Sequence, residues 1–243
     1  MIKDLQTVIW KELYKYNNTR TSKMQGIIMI GLIGIYMPIM TGLDWVETIQ
    51  YLMWMWLPMF TTIGFTTDAF AGERERHTLE TLLASRLPDE AILLGKILAS
   101  VIYSWGISFV SLLLGAVVVN LTHPDAGLVF YEIGTFLPAL FAMLVIFFLF
   151  SCLGVFSSLR AETVRQAYQR LSFGMLFIWL IPFVLFQLLP EETLAKFTAV
   201  APNLEKILIA AVPYVIAGLV VLSVVLYRIA RGKFKRDQLI ADL

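Results

Sequence analysis

The sequence predicts an all-α, polytopic membrane protein: a single domain of six transmembrane helices with both termini in the cytoplasm. Three observations carry this reading. Of the 243 residues, 58% are apolar and only 15% charged, against about 45–50% and 25% in soluble domains. The apolar residues fall in long blocks parted by short charged segments, so a soluble fold would have too few charges to cover them. The Lys and Arg residues also concentrate in alternate connections, as the positive-inside rule requires.

A bilayer core about 30 Å thick needs about 20 residues of apolar helix. Blocks at residues 24–43, 50–69, 91–121, 133–159, 171–189 and 207–230 meet or approach that length. The fourth block is the most emphatic, with 14 Leu, Ile, Val or Phe residues between Phe136 and Phe156 and no charge among them. On insertion scales these contribute roughly −4 to −8 kcal/mol. The first block is the weakest, carrying Gly26, Gly31, Gly34, Pro38 and Gly42. Membrane helices tolerate such residues when neighbouring helices satisfy the freed backbone groups, so the block predicts close packing or a kink. Pro58, Pro138, Pro182 and Pro213 sit inside or near the ends of other blocks.

Orientation follows from the cations. Lys3, Lys11, Lys15, Arg20 and Lys23 precede the first block, and Arg74, Arg76, Arg86 and Lys96 lie between or beside the second and third. Arg160, Arg165 and Arg170 separate the fourth and fifth, and Arg228, Arg231, Lys233, Lys235 and Arg236 close the chain. The remaining connections hold only Lys196 and Lys206. Six spans with both ends inside place every cluster on one face. The outer connections 42–49 and 122–132 are too short for a folded external domain. The outer stretch 190–206 spaces Leu194, Phe197, Val200 and Leu204 by about one helical turn, which leaves open short interfacial helices or a plain loop. Charges at Lys3, Asp4, Lys11, Glu12 and Lys15 interrupt any signal-peptide core.

Residues 1–23 read as an amphipathic interface helix. Ile2, Leu5, Ile9, Leu13 and Tyr16 mark one apolar face, while Lys3, Lys11, Glu12 and Lys15 lie largely elsewhere. Trp10 and Tyr14 suit headgroup depth. The polar residues Lys11, Glu12 and Lys15, with Trp10, either only anchor the chain or also meet a cytoplasmic partner.

The loop at residues 70–90 is the most informative segment. Glu73, Arg74, Glu75 and Arg76 follow the second block directly, and Thr78 is placed to cap a short helix through its hydroxyl. That helix carries Leu79, Leu82 and Leu83 on one face and Glu80 on another. Pro88 ends it, and Asp89 is placed to cap the third span. The apolar face calls for cover from the membrane or from another protein.

This segment resembles the signature loop of type-2 permeases of ATP-binding-cassette exporters. The matching residues are the cluster Glu73, Arg74 and Glu75, the core from His77 through Thr78, Leu79, Glu80, Thr81, Leu82 and Leu83, and the pair Gly95 and Lys96 opening the third span. His77 stands where glycine is more usual, a departure that bears on the local turn. The motif covers residues 68–96, and the six-span layout extends the resemblance in architecture to the whole chain. The resemblance implies that the short helix is a coupling helix docking into a separate ATPase subunit, with the N-terminal helix against the same subunit. It implies two ATPases and two permease chains, identical or related. Carried over, Glu73, Glu75, Thr78, Leu79, Glu80, Leu82 and Leu83 become contact or relay positions. ATP would then be bound by the partner, with no cofactor in this chain.

Absences narrow the chemistry. No G-x-x-x-x-G-K-[ST] loop is present, and Gly95-Lys96 lacks both the upstream glycine and the following hydroxyl residue. There is no H-E-x-x-H and no G-x-S-x-G. His77 and His123 fall on opposite sides of the membrane in this topology and share no metal. The one cysteine, Cys152, permits no intrachain disulfide and no cysteine zinc set, and reads as a small buried residue. A net charge of +1 gives no argument for nucleic acid. Asp68, Glu132 and Lys96 sit at span ends and Gln187 near an outer end, so no mid-span ionisable group marks an ion-coupled carrier. No span shows a polar stripe that would suit a channel. The run from Tyr51 to Pro58 reads as an aromatic belt and helix packing, or as a lipid-like substrate path. The expectation is therefore a cell-membrane transport subunit that performs no covalent chemistry itself, with no substrate indicated. The alternative is a membrane enzyme or assembly factor acting on lipid, with Glu73, Glu75 and His77 as its site.

Overall fold

Residues 1–47, 51, 54, 56–187 and 213–234 are described by the structure, a computed structural model. Among them every regular element is helical. They are α1 (Ile2–Asn18), α2 (Arg20–Thr41), α3 (Asp44–Glu47), α4 (Met59–Asp68), α5 (Ala71–Glu75), α6 (Leu79–Leu83), α7 (Asp89–Thr122), α8 (Ile133–Arg160), α9 (Val164–Gln187) and α10 (Pro213–Lys233). Four of them, α2, α7, α8 and α10, are long and apolar enough to cross a membrane. They correspond to the first, third, fourth and sixth apolar blocks. The second block is represented by α4 and the fifth by α9. The outer stretch 190–206 lies outside the described residues, as do the tail cations Lys235 and Arg236.

The centre of the molecule is α4, α7 and α8. Their contact is sealed by hydroxyls as well as by apolar packing. Ser100, Ser104, Ser108 and Ser111 recur at three- and four-residue spacing on α7 and are wholly buried, so this span does carry a polar stripe. The expectation of none overlooked that periodicity. The stripe is satisfied from within. Thr61 and Thr62 reach the Ser104 hydroxyl at 3.0 and 2.8 Å, Ser100 meets Ser151, and Ser108 and Ser111 donate to carbonyls one turn back. Such hydroxyls act as interhelical glue where no water competes. Gly154 on α8 lets α4 approach until Thr66 fills the place of a side chain.

The first span behaves as its glycines and proline foretell. Its turn Leu32–Tyr36 is a π-helix, directly before Pro38. Proline removes one backbone donor and clashes with the carbonyl four residues back, and a wider turn relieves both effects. Gly34 within it lies so close to α7 that an added Cβ would stand 2.9 Å from the Ser111 carbonyl. Nearer the outer end, Trp45 covers Gly115, and Asn120 clamps Val129 by two bonds of 2.7 and 2.8 Å. Tyr51 is buried in this cluster against Tyr131, with ring centres 4.9 Å apart, so it serves packing rather than a lipid-facing belt.

The N-terminal helix docks differently from its apolar pattern. The buried residues are Val8, Glu12 and Tyr16, one per turn, and they lie along α7. Ile2 is left exposed and the carboxylate Glu12 is taken inside. The cause is on α7: Gly95 has no side chain, so Val8 settles directly on its backbone, and the next residue, Lys96, supplies a charge for Glu12. Trp10 and Tyr14 stack on the other side with ring centres 5.4 Å apart, Trp10 being 69% exposed.

Gly95 therefore sets the distance between α1 and α7. A Cβ there would meet Val8 at 2.6 and 2.8 Å, whereas Gly106 has nothing within 4 Å. Gly95→Val should lower thermal stability in detergent by about 1–3 kcal/mol and open α1 to limited proteolysis. Gly106→Ala should be neutral or stabilising by up to about 1 kcal/mol. Equal behaviour of the two variants would show that α1 does not depend on this contact.

Candidate functional site

The signature loop forms two short helices, α5 and α6, joined by a turn whose geometry explains its sequence. His77 has φ of 54°. Its N–H donates to Arg74 O at 3.0 Å, while the Thr78 N–H donates to Glu73 O at 2.9 Å. This pair of bonds is a Schellman closure of α5, in which the residue after the cap takes the left-handed conformation that glycine favours. Histidine holds that position here.

Thr78 does not cap α6 with its side chain as expected. Its hydroxyl turns back to donate to the Glu73 carboxylate. Likewise Asp89 is the first residue of α7 rather than its cap, which is Pro88. Its acidic neighbour Glu90 pairs with Arg231 of α10, tying the last helix to the start of the third.

The apolar face of α6 is covered by the chain itself. Leu79, Leu82 and Leu83 are buried in one cluster with Phe70, Ile92, Leu93, Ile97, Val155, Leu159 and Phe234. The expected need for cover from membrane or partner is met from within, because the end of α10 folds Phe234 onto Phe70 at 5.5 Å between ring centres. The exposed side of the loop is therefore the polar one: Glu75, Arg76, His77, Thr78, Glu80 and Thr81.

Beneath the loop lies a buried ion network. Lys96 has no exposed surface. Its Nζ is 2.7 Å from Glu12 Oε1, donates to Ala69 O at 2.7 Å, lies 3.8 Å from Glu73 Oε1 and sits 5.1 Å from the centre of the Phe70 ring. Glu73 is 4% exposed and also receives Lys15 at 3.1 Å and Lys11 at 3.9 Å. Lys15 reaches Asp68 at 3.2 Å, and Arg76 grips both Asp68 oxygens at 3.0 Å. One network thus joins α1, the end of α4, the loop and α7. Burial alone would push the Glu73 carboxyl up. The Lys96 charge, the Thr78 hydroxyl, Lys15 and Lys11 outweigh it and hold the group down to about 2.

Further hydrogen bonds fasten the loop to the far side. Arg74 donates to the carbonyls of Ala161 and Leu159 at the end of α8. Glu75 accepts the Val164 N–H at 2.8 Å, capping α9 from a distance in sequence. Ser158 accepts from the N–H groups of Phe70 and Ala71 at 3.0 and 2.9 Å. The loop is a knot through which α1, α4, α7, α8 and α9 are held.

The residues singled out from sequence therefore part into two groups. Glu12, Lys11, Lys15 and Glu73 converge on Lys96, and Leu79, Leu82 and Leu83 form the core beneath. Thr78, Glu75 and Glu80 remain at the surface, and Trp10 points away to the opposite side of α1. The centre of the network, Lys96, was read as a mere span-end charge, and Asp68 and Phe234 were not singled out. The signal for Lys96 was present: a charge eight residues into an otherwise apolar helix needs a partner carboxylate. Between α1 and α6 the surface sinks into a cleft of about 470 Å³, lined by Lys11, Lys15, Arg76, Thr78, Thr81 and Ser85 among others.

Three outcomes are expected. Lys96→Met strands the Glu12 carboxylate and takes one of three cations from Glu73; it should cost about 3–5 kcal/mol in a chemical-denaturation series, with much of the loss recovered in Lys96→Met/Glu12→Met. A double variant no better than the single would separate Glu12 from Lys96. Because the Glu73 pKa is lowered from an ordinary 4.5 to about 2, its stabilisation is complete above pH 4.5 and is lost as pH falls from there toward 2. It amounts to about 3 kcal/mol. Glu73→Gln should flatten the thermal stability profile over that acid range, and an unchanged profile would remove the group from the network. His77→Gly should raise stability by about 1 kcal/mol by relieving the left-handed backbone, measured as a higher melting temperature. A fall would mean that the imidazole itself holds the turn.

Comparison with known families gives one result. A family model described as ABC-2 family transporter protein matches residues 3–226. No curated protein matches the chain.

Proposed function

From the premise that this chain belongs to the ABC-2 transporter family, and so is a multi-pass membrane component of an ATP-binding-cassette transporter, we propose that it forms the translocation path of an exporter driven by separate ATPase subunits. The subunit crosses the membrane six times with both ends in the cytoplasm, since that arrangement puts every cationic cluster on one side. Two such chains, identical or related, and two ATPases make the working unit in the cell membrane.

The observation that carries this reading is the polar rim of the loop set over its buried knot. Glu80, Thr81 and His77 are exposed, and the neighbouring cleft opens between α1 and α6. A partner gripping this rim would push on α6, and α6 has no freedom to yield independently. Its leucines are fixed to α7, α8 and Phe234, and its turn is tied through Glu73 to Lys96 and Lys15. Closure of two ATPases on ATP would therefore displace α4, α7 and the interface helix together, and the strain would appear at the contact between the two permease chains. In this scheme Glu80 and Thr78 are contact positions. Glu73, Leu79, Leu82 and Leu83 are relay positions that never leave the interior, and Glu75 relays to α9. The lipid-enzyme alternative finds no support in the geometry. Glu73 is consumed by ion pairs, Glu75 by the α9 terminus and His77 by the turn.

The test uses surface residues, because substitution of the buried ones would unfold the loop. Glu80→Lys/Thr81→Glu should leave the isolated permease as stable as the native chain. It should weaken co-purification of the ATPase at least tenfold, about 1.4 kcal/mol, and abolish permease-stimulated ATP hydrolysis in proteoliposomes. Retention of both assembly and stimulation would rule out this rim as the coupling surface.

A further inference from the structure

On the side of α1 away from the ion network lies a second cavity, about 480 Å³, in the angle where the interface helix, α2 and α7 meet. Its wall on α1 is the stripe Trp10, Tyr14 and Asn17, its wall on α2 is Ile30, and its floor on α7 includes Tyr103 and Gly106. Gly106 leaves open space where a side chain would stand, whereas Gly26 across from it is closed by the Tyr103 hydroxyl at 3.0 Å. The slot is therefore shaped by a missing side chain on one helix and by a turned ring from the same helix.

Chemically the slot is graded from one end to the other. Along α7 it is lined by aliphatic groups, at α1 by two stacked aromatic rings and by the amide of Asn17. Beyond it stands a cation. Lys23 is exposed and lies seven residues before Ile30 on the same face of a regular helical segment, about 10 Å toward the cytoplasm. Arg20 is its neighbour at three residues' spacing and is also exposed. An apolar slot, an aromatic collar at headgroup depth and cations beyond the collar follow the polarity profile of a single anionic phospholipid: acyl chain, glycerol region and phosphate.

We propose that this slot is a binding site for an anionic phospholipid of the cytoplasmic leaflet. The acyl chain lies along Gly106, Ile30 and Tyr103, and the headgroup is held by Lys23 and Arg20. The lipid would fill the angle under α1 and brace the helix from the face opposite Lys96. The proposal needs only that α2 and α7 cross the membrane, so it stands or falls separately from coupling to an ATPase.

The experiment measures lipid retained by the purified full-length protein after detergent washing, by native mass spectrometry. Preparations are made from vesicles of phosphatidylglycerol or of phosphatidylcholine. The native chain should retain phosphatidylglycerol in preference to phosphatidylcholine. Lys23→Gln should lower phosphatidylglycerol retention roughly fivefold, the effect of one interfacial cation, and leave phosphatidylcholine unchanged. Gly106→Leu, which fills the slot, should abolish the retained lipid at unchanged helix content. Gly106→Ala, which takes up less of the space, should reduce it less. Equal retention of the two lipids by the native chain would overturn the proposal, and so would undiminished retention in Gly106→Leu. A change in oligomeric state in Gly106→Leu with lipid retention unaltered would assign the slot to a second copy of the chain and also overturn it.

Discussion

A primary ammonium with no exposed surface organises the end of this protein where α1, the loop and the start of α7 meet. Lys96 has left water entirely, and an unpaired charge in that position would cost several kcal/mol. The chain answers with the Glu12 carboxylate from the interface helix, a carbonyl from the end of α4, the Glu73 carboxylate from the loop and the face of Phe70. Each comes from a different part of the fold, so satisfying one group fixes the position of several elements. Gly95 makes the arrangement possible by letting α1 descend far enough for Glu12 to reach. Apolar residues would pack the same volume at least as stably. The ion pairs add an angular and register requirement that oil-like contacts would not impose.

Two kinds of rigidity meet here. Inside the span region, α4, α7 and α8 are joined by short bonds between neutral hydroxyls on facing helices, such as Thr61 and Thr62 on Ser104. Around the loop the joints are made by charged side chains, such as Lys15 to Glu73 and Arg74 to the Ala161 carbonyl. The first set keeps three helices moving as one body. The second attaches the loop and α1 to that body. On the proposed reading, work delivered at the rim passes through the charged joints first and the hydroxyl joints second, with little slack in either.

Much of this was readable from the sequence, and what was not follows a pattern. Long apolar blocks and the placement of cations mark spans and sides because both depend only on local composition. The short helix α6 was legible because Pro88 and the leucine spacing are local signals as well, whereas α5, closed by the turn at His77, was not read as a helix. Glu12 was assigned to the solvent side because a periodicity count treats any carboxylate as polar, whereas a lysine on another helix makes it an interior residue. The leucines of α6 announced that they needed cover, but nothing near them in sequence names Phe234 as the residue that supplies it. Ser100, Ser104, Ser108 and Ser111 were legible at helical spacing and were missed because serine scores as nearly neutral in hydropathy. Thr78 was read as a helix cap because its position suited one, and the nearby buried carboxylate took the hydroxyl instead.

The π turn at Leu32–Tyr36 has a mechanical corollary. Such a turn holds one residue more than the α-helical turns around it. Annealing it to α-helical winding would screw the C-terminal third of that helix through about 100° and advance it by about 1.5 Å. Tyr36, Ile39 and Met40, all exposed, would then sweep to a new bearing while Gly26, earlier in the helix, kept its seat on Tyr103. The π turn thus sets a one-residue change of register between the half seated on Tyr103 and the half that packs Pro38 against Gly115.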